Sequence, residues 1–160
     1  MSYNRFTRCI EVKELRDLFQ TMTRRFGFLN KNCCKVGGYE ISLVQSHILY
    51  EISRQHKPSM QQVAEVLGTD ISTFSRQIQT LIKMNLVKKT PDPDDRRVYI
   101  LSLTAEGTYV ATMIDQQINA YLNEVFSHLN EFEKEIVIRS LKRLNEAMAK
   151  SSKCCPTPLR

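Results

Sequence analysis

Long hydrophobic runs are missing from this chain: no stretch approaches the ~20 consecutive apolar residues that a bilayer crossing needs. Nothing resembles a signal peptide either, so no membrane association is expected and a cytoplasmic location is. Cysteine spacing of the metal-binding kind is also absent. The five cysteines are Cys9, Cys33, Cys34, Cys154 and Cys155, with no Cys-x-x-Cys among them, which argues against a zinc site. Adjacent cysteines rarely bridge each other, because the intervening peptide forces strain. Internal repeats and low-complexity tracts are lacking too. No hydrolase or transferase motif is present, and no nucleophile stands at a recognisable spacing from a base, so an enzyme is not expected and no cofactor is called for. Asp92, Asp94 and Asp95 form an acidic cluster, but in a proline-rich tip beside two arginines such acids act as turn formers and charge partners. His47, His56 and His128 are scattered over different segments and make no ligand set. Tyr39, Tyr50, Tyr109 and Tyr121 fall near helical stripes and are expected to be core aromatics with a wet hydroxyl.

What is present is a basic chain with room for a core. Its 160 residues include 42% hydrophobic side chains, enough for one compact domain or a domain with extended helices. Lys and Arg number 23 against 17 Asp and Glu, a net charge of +6 that favours a polyanionic partner. Composition alone is equally compatible with mere solubility. Position is what decides.

Residues 85–107 read as two short strands joined by a stiff charged hairpin that leads into a helix. Val98, Ile100, Leu101 and Leu103 are strand-like, while Pro91 and Pro93 cannot donate to a sheet interior and confine residues 92–97 to a tip. Arg96 and Arg97 are therefore held in solvent, and a guanidinium there offers donors suited to phosphate oxygens or base edges. Upstream, Ser59 with Gln62 is a capping box for a helix whose Val63, Ala64, Val66 and Leu67 form a buried stripe ending at Gly68. Asp70 caps the next helix. There Ile71, Phe74, Ile78, Leu81 and Ile82 recur at helical spacing and are expected inside, which turns Ser72, Thr73, Ser75, Arg76, Gln77 and Lys83 outward. Small hydroxyls permit close approach, and Arg76 and Gln77 carry donor and acceptor sets that match purine edges in a major groove. Two helices about a tight turn, followed by the hairpin, make a helix-turn-helix with a wing. Lys88 and Lys89 on the wing's first strand add screened attraction to a phosphate backbone.

The remaining segments are helical. Val12, Leu15, Leu18 or Phe19, Met22, Phe26 and Leu29 trace one stripe of a first helix, which Lys31 to Gly38 breaks. Ser42 with Gln45 opens a helix with Leu43, Ile48, Leu49 and Ile52 inside. Thr104 caps a long helix carrying Val110, Met113, Ile114, Ile118, Tyr121, Leu122 and Phe126, and Asn130 with Glu133 opens the last, with Phe132, Ile136, Val137, Leu141, Leu144 and Met148. These terminal helices are longer and more apolar along one edge than a small winged-helix core needs, and self-association is the simplest way to cover them. The fold expected is mainly α with a small β-wing: residues 1–35 an N-terminal helix in a dimerisation region, 40–103 the winged helix-turn-helix, 104–150 C-terminal helices of the same dimerisation region, and 151–160 a tail.

The combined pattern resembles the MarR family of winged-helix transcription regulators. The resemblance rests on Met60-Gln-Gln-Val-Ala-Glu-Val-Leu-Gly68, Ser72-Thr-Phe-Ser-Arg-Gln-Ile-Gln-Thr-Leu81, Leu86-Val-Lys-Lys89 and, most specifically, Asp92-Pro-Asp-Asp-Arg-Arg97 with Leu101-Ser-Leu-Thr-Ala-Glu-Gly107. It implies a homodimer with interleaved end helices, one reading helix per subunit in the major groove of double-stranded DNA, and a wing in each neighbouring minor groove. By position Arg96 is similar to the wing-tip arginine, with Arg97 and Asp94 or Asp95 shaping the tip. It implies, further, a repressor released by a small-molecule, oxidant or metal effector, with a ligand cleft whose lining the string does not specify. The cysteines stay open between bystander thiols and a sensing cluster in the dimerisation region, whose pKa values Lys31 and Lys35 would lower. An architectural DNA binder without an operator is the alternative, separable by its indifference to sequence.

Overall fold

The computed structural model describes residues 12–27 and 34–151. In chain order the elements are α1 (Val12–Phe26), β1 (Cys34–Val36), β2 (Tyr39–Ile41), α2 (Leu43–Arg54), α3 (Met60–Val66), α4 (Ile71–Lys83), β3 (Val87–Pro91), β4 (Tyr99–Leu103), α5 (Ala105–Ser127) and α6 (Glu131–Ala149). The fold is mainly α with a small antiparallel wing, a winged helix-turn-helix. Among the described residues no helix is long and apolar enough to cross a membrane.

Helix starts follow the expected chemistry. Ser42, Ser59 and Asn130 each cap with a reciprocal bond from the third residue on, so that orphan amides at both positions are satisfied. Helix α3 ends at Val66 with Leu67 as its C-cap, and Gly68 follows at φ +61°, a left-handed position that costs glycine nothing. The second tight exit, after α4, is made by Asn85 at φ +58°, with Leu86 N–H returning to the Leu81 carbonyl at 2.9 Å.

Two hairpins punctuate the helices. The wing pairs β3 with β4 in the register Val87↔Leu103, Lys89↔Leu101 and Pro91↔Tyr99. Leu101 also donates to the Pro58 carbonyl at 2.8 Å, which sews the entry to α3 onto the wing. The other hairpin departs from the sequence reading: β1 and the turn fall within the expected break, Lys31 to Gly38, and β2 just after it, with Cys34↔Ile41 and Val36↔Tyr39 paired. Gly37 and Gly38, at φ +55° and +86°, form its two-residue turn, and apolar alternation on either side of Gly-Gly was the available signal.

The chain forms two compact units, Met1–Asp115 and Gln116–Arg160. The core of the first gathers Ile41, Ile48, Leu49, Val63, Phe74, Ile78, Leu81, Leu86, Leu101 and Val110, all with almost no accessible surface. Several expected core residues are not in it. Val66, Ile71 and Ile82 are exposed, because α3 ends at Val66 and because Ile71 and Ile82 lie on the flank of the buried α4 stripe. Tyr50, Tyr109 and Tyr121 are exposed and Tyr39, in β2, is half-buried, so none is a core aromatic. On α1, Leu15, Leu18, Met22 and Phe26 are exposed and Phe19 is half-buried, while Leu29 and the Val12 side chain lie outside the described residues. In the second unit no residue of α6 is buried, and Phe132 is 71% exposed.

A compact joint ties the end of α4 to the start of α5. Thr104, buried, donates its backbone N–H to the Leu86 carbonyl at 3.1 Å and its hydroxyl to the Asn85 carbonyl at 2.7 Å, while its Oγ1 accepts from Gly107 N–H at 2.8 Å. Gly107 lies so close that an added Cβ would stand 1.9 Å from the Leu86 oxygen. Only a residue without a side chain fits there.

Candidate nucleic-acid interface

Helix α4 owes its position to Phe74, Ile78 and Leu81, which fix one face in the core and present the opposite face to solvent. Asp70 caps it, accepting from Thr73 N–H at 2.9 Å and from the Ser72 hydroxyl. The Ser72 hydroxyl, then the Thr73 amide, holds the Asp70 carboxyl well below the usual carboxylate range. Because the Ser72 proton is committed to Asp70, Ser72 can offer incoming groups only acceptor lone pairs.

The outward residues divide. Ser72, Thr73, Arg76 and Lys83 are exposed, whereas Ser75 and Gln77 are half-buried on the flanks. The Arg76 guanidinium makes no ion pair or hydrogen bond among the described residues. Gln79 and Thr80 are exposed on the same side and were missed, although they follow Arg76 by three and four residues and so share its face. The Thr80 hydroxyl turns back to the Arg76 carbonyl at 3.1 Å, which leaves Gln79 as the additional open polar side chain.

The wing tip is built by aspartates. Asp92 Oδ1 accepts from the backbone N–H groups of Asp94 at 2.8 Å and Asp95 at 3.1 Å, an Asx turn. Asp95 grips Arg97 with two parallel bonds, Nε to Oδ1 and Nη2 to Oδ2, both 3.0 Å, and also takes the Arg97 backbone N–H. That fork lowers the Asp95 pKa and raises that of Arg97. The tip is thus shaped by Asp92 and Asp95, while Asp94 enters through its backbone alone. Arg96 is exposed and unpaired among the described residues, so it is the arginine the tip presents. On β3, Lys88 is exposed, and the Lys89 ammonium lies 4.0 Å from the centre of the Tyr99 ring.

Cys34 is 6% exposed in β1, while Cys9, Cys33, Cys154, Cys155 and Lys31 lie outside the described residues. Lys35 pairs with Glu40 at 3.1 Å. Among the described residues no group of three or more His, Cys, Asp or Glu could hold a metal, and His47, His56 and His128 are all exposed.

Comparison with known proteins agrees with this geometry. A family model described as MarR family matches residues 41–99, from the end of β2 to the first residue of β4. The uncharacterized HTH-type transcriptional regulator YxaD of Bacillus subtilis (strain 168) is 28% identical over 128 residues, spanning 79% of this chain and 87% of its own. HTH-type transcriptional regulator PapX of Escherichia coli is 28% identical over 81 residues, 51% of this chain and 49% of its own. Among solved structures, Streptococcus pneumoniae FabT in complex with DNA superposes with a TM-score of 0.75 at 18% identity, covering 86% of this chain and 96% of that one. A mutant MarR from E. coli complexed with operator DNA gives 0.66 at 20%, over 83% and 94%. Domain match, relatives and fold point the same way: residues 41–99 match the MarR family model, and the chain folds as a winged helix-turn-helix similar to these regulators.

Proposed function

We propose that this regulator binds a near-palindromic operator as a homodimer, with α4 reading base edges in the major groove and Arg96 entering the neighbouring minor groove. The observation that carries the reading is the pair of uncommitted guanidiniums, Arg76 on the solvent face of a capped helix and Arg96 on a tip that has already neutralised Arg97. Both FabT and the mutant MarR were solved on DNA, which supports the same use of the shared fold. Ser72, Thr73, Lys83 and Gln79 would lie along the reading face, with Ser75 and Gln77 at its margins, and Lys88 and Lys89 would meet the backbone.

The dimerisation region is assigned to residues 1–35 and 104–150. Its support is the exposed apolar side chains that α1 (Leu15, Leu18, Met22, Phe26) and, separately, α6 (Phe132, Ile136, Leu141, Met148) each leave in water, which a second copy would remove. A two-fold pair places reading helices about 34 Å apart, one turn of duplex. Repression, relieved by a small-molecule, oxidant or metal effector, is the proposed output in the cytoplasm. A regulator of the same fold, PcaV from Streptomyces coelicolor, was solved with its natural ligand. Release requires an effector that favours the DNA-incompetent form, on the scale of about 1–3 kcal/mol of coupling.

The deciding experiment combines sedimentation velocity with a binding assay against the protein's own upstream region, repeated with peroxide, soft metals and small aromatic acids. A dimer that prefers one fragment by about 10³-fold or more over random DNA supports the proposal. A monomer, or equal affinity for every duplex, would leave only an architectural role.

A further inference from the structure

We propose that Ile71 is a specificity-determining residue, packing its aliphatic end against the 5-methyl group of one thymine in each half-site; this rests on the DNA-reading role proposed for α4. Ile71 is the first residue of α4 and is 47% exposed, although its spacing from Phe74 and Ile78 marks it for the core. The Cα–Cβ bonds of a helix tilt toward its N-terminus, so the side chain of the first residue overhangs the leading end. That is the end which meets base edges when a reading helix enters the major groove.

The surroundings make the chemistry specific. Beside Ile71, Ser72 and Thr73 are polar and exposed, and the Ser72 proton is held by Asp70. An apolar side chain at this tip finds one apolar partner on a base edge of the major groove, the thymine methyl. Nothing in helix chemistry asks for isoleucine here, since first-turn positions favour acidic residues or proline. With 47% of its surface left in water, Ile71 keeps an apolar end available at the helix tip. Its β-branched side chain is stiff at χ1, so little rotamer freedom is lost on docking.

The test uses the full chain. A preferred duplex is selected from a random pool, and each thymine is replaced singly by deoxyuridine, which pairs identically but lacks the methyl group. Affinities are measured by fluorescence anisotropy for the wild type, Ile71→Ala and Ile82→Ala. Ile82 is the control: it is also exposed and apolar, but stands at the other end of α4, about 16 Å along the axis. The expected result is one thymine per half-site whose demethylation weakens wild type and Ile82→Ala by about fourfold, the factor of one buried methyl-sized group, and leaves Ile71→Ala unchanged. If the preferred duplex is retained but no thymine is sensitive, or Ile71→Ala is as sensitive as wild type, the inference is overturned and the proposed function stands. If no duplex is preferred over a scrambled one, both fall. The wild-type arm depends on no variant's folding, and a thermal melt checks Ile71→Ala.

Discussion

Replacing Gly107 by alanine sets two physical effects against each other with opposite signs. Helix propensity favours alanine by about 1 kcal/mol, because glycine loses more backbone freedom on folding. Geometry opposes it. The new Cβ would lie 1.9 Å from the Leu86 carbonyl oxygen and 2.8 Å from its carbon, both backbone atoms that no rotamer change can move aside. Relief to an ordinary contact near 3.5 Å requires α5 and the β3 entry to part by roughly 1.5 Å. Such a shift breaks the Thr104 bonds to the Leu86 and Asn85 carbonyls, 3.1 and 2.7 Å in length, each contributing about 1 kcal/mol. Overpacking strain adds about 1–3 kcal/mol. The balance is a destabilisation of about 2–4 kcal/mol, or about 5–15 °C in Tm for a chain of this size. Urea denaturation followed by circular dichroism reads it as a lower midpoint at constant slope. An alanine variant as stable as wild type, or more so, would falsify the joint as described.

Three further outcomes are expected. Arg76→Ala should weaken the preferred duplex by about 1–3 kcal/mol and random DNA by less, as loss of a bidentate base contact does; equal losses on both would make it a phosphate clamp. Arg96→Ala should lower affinity and soften preference for A·T-rich flanks more than Arg97→Ala does, because Arg97 is held by Asp95 and Arg96 is not; competition binding with A·T-rich and G·C-rich flanks measures both, and the reverse order would refute the assignment. Asp70 has a folded-state pKa below the unfolded value of about 3.9, so its contribution is present above that value and disappears as pH falls through the lower one. Asp70→Asn keeps a capping oxygen without the titration, and its stability should therefore fall less steeply than wild type below about pH 4. Parallel acid profiles for the two proteins would rule the carboxylate out.

The helix starts were legible because caps are local: Ser42, Ser59, Asp70, Thr104 and Asn130 act on amides within three residues, and each stands where a helix begins. The wing was legible for the same reason, since Pro91, Pro93 and the aspartates dictate their own turn. Misplacements cluster where a decision depends on the rest of the molecule. Ile71 and Ile82 share the period of Phe74 and Ile78 but sit about 60° off the centre of that stripe, and only the packed core decides how wide the buried face is. The β1–β2 hairpin escaped notice because its strands have three residues each, too short to show alternation unless Gly37-Gly38 is taken as a turn. The different parts of Arg96 and Arg97 came only from the family resemblance, because identical side chains differ only in which one meets Asp95.

The Thr104 joint also sets a mechanical ratio. Helix α5 runs for 23 residues, about 34 Å, from a pivot bonded to the Asn85 and Leu86 carbonyls just after α4. A swing of about 5° around that pivot carries the far end of α5 through roughly 3 Å. Two short bonds at Thr104, to the Leu86 and Asn85 carbonyls, therefore oppose any sideways force on that arm.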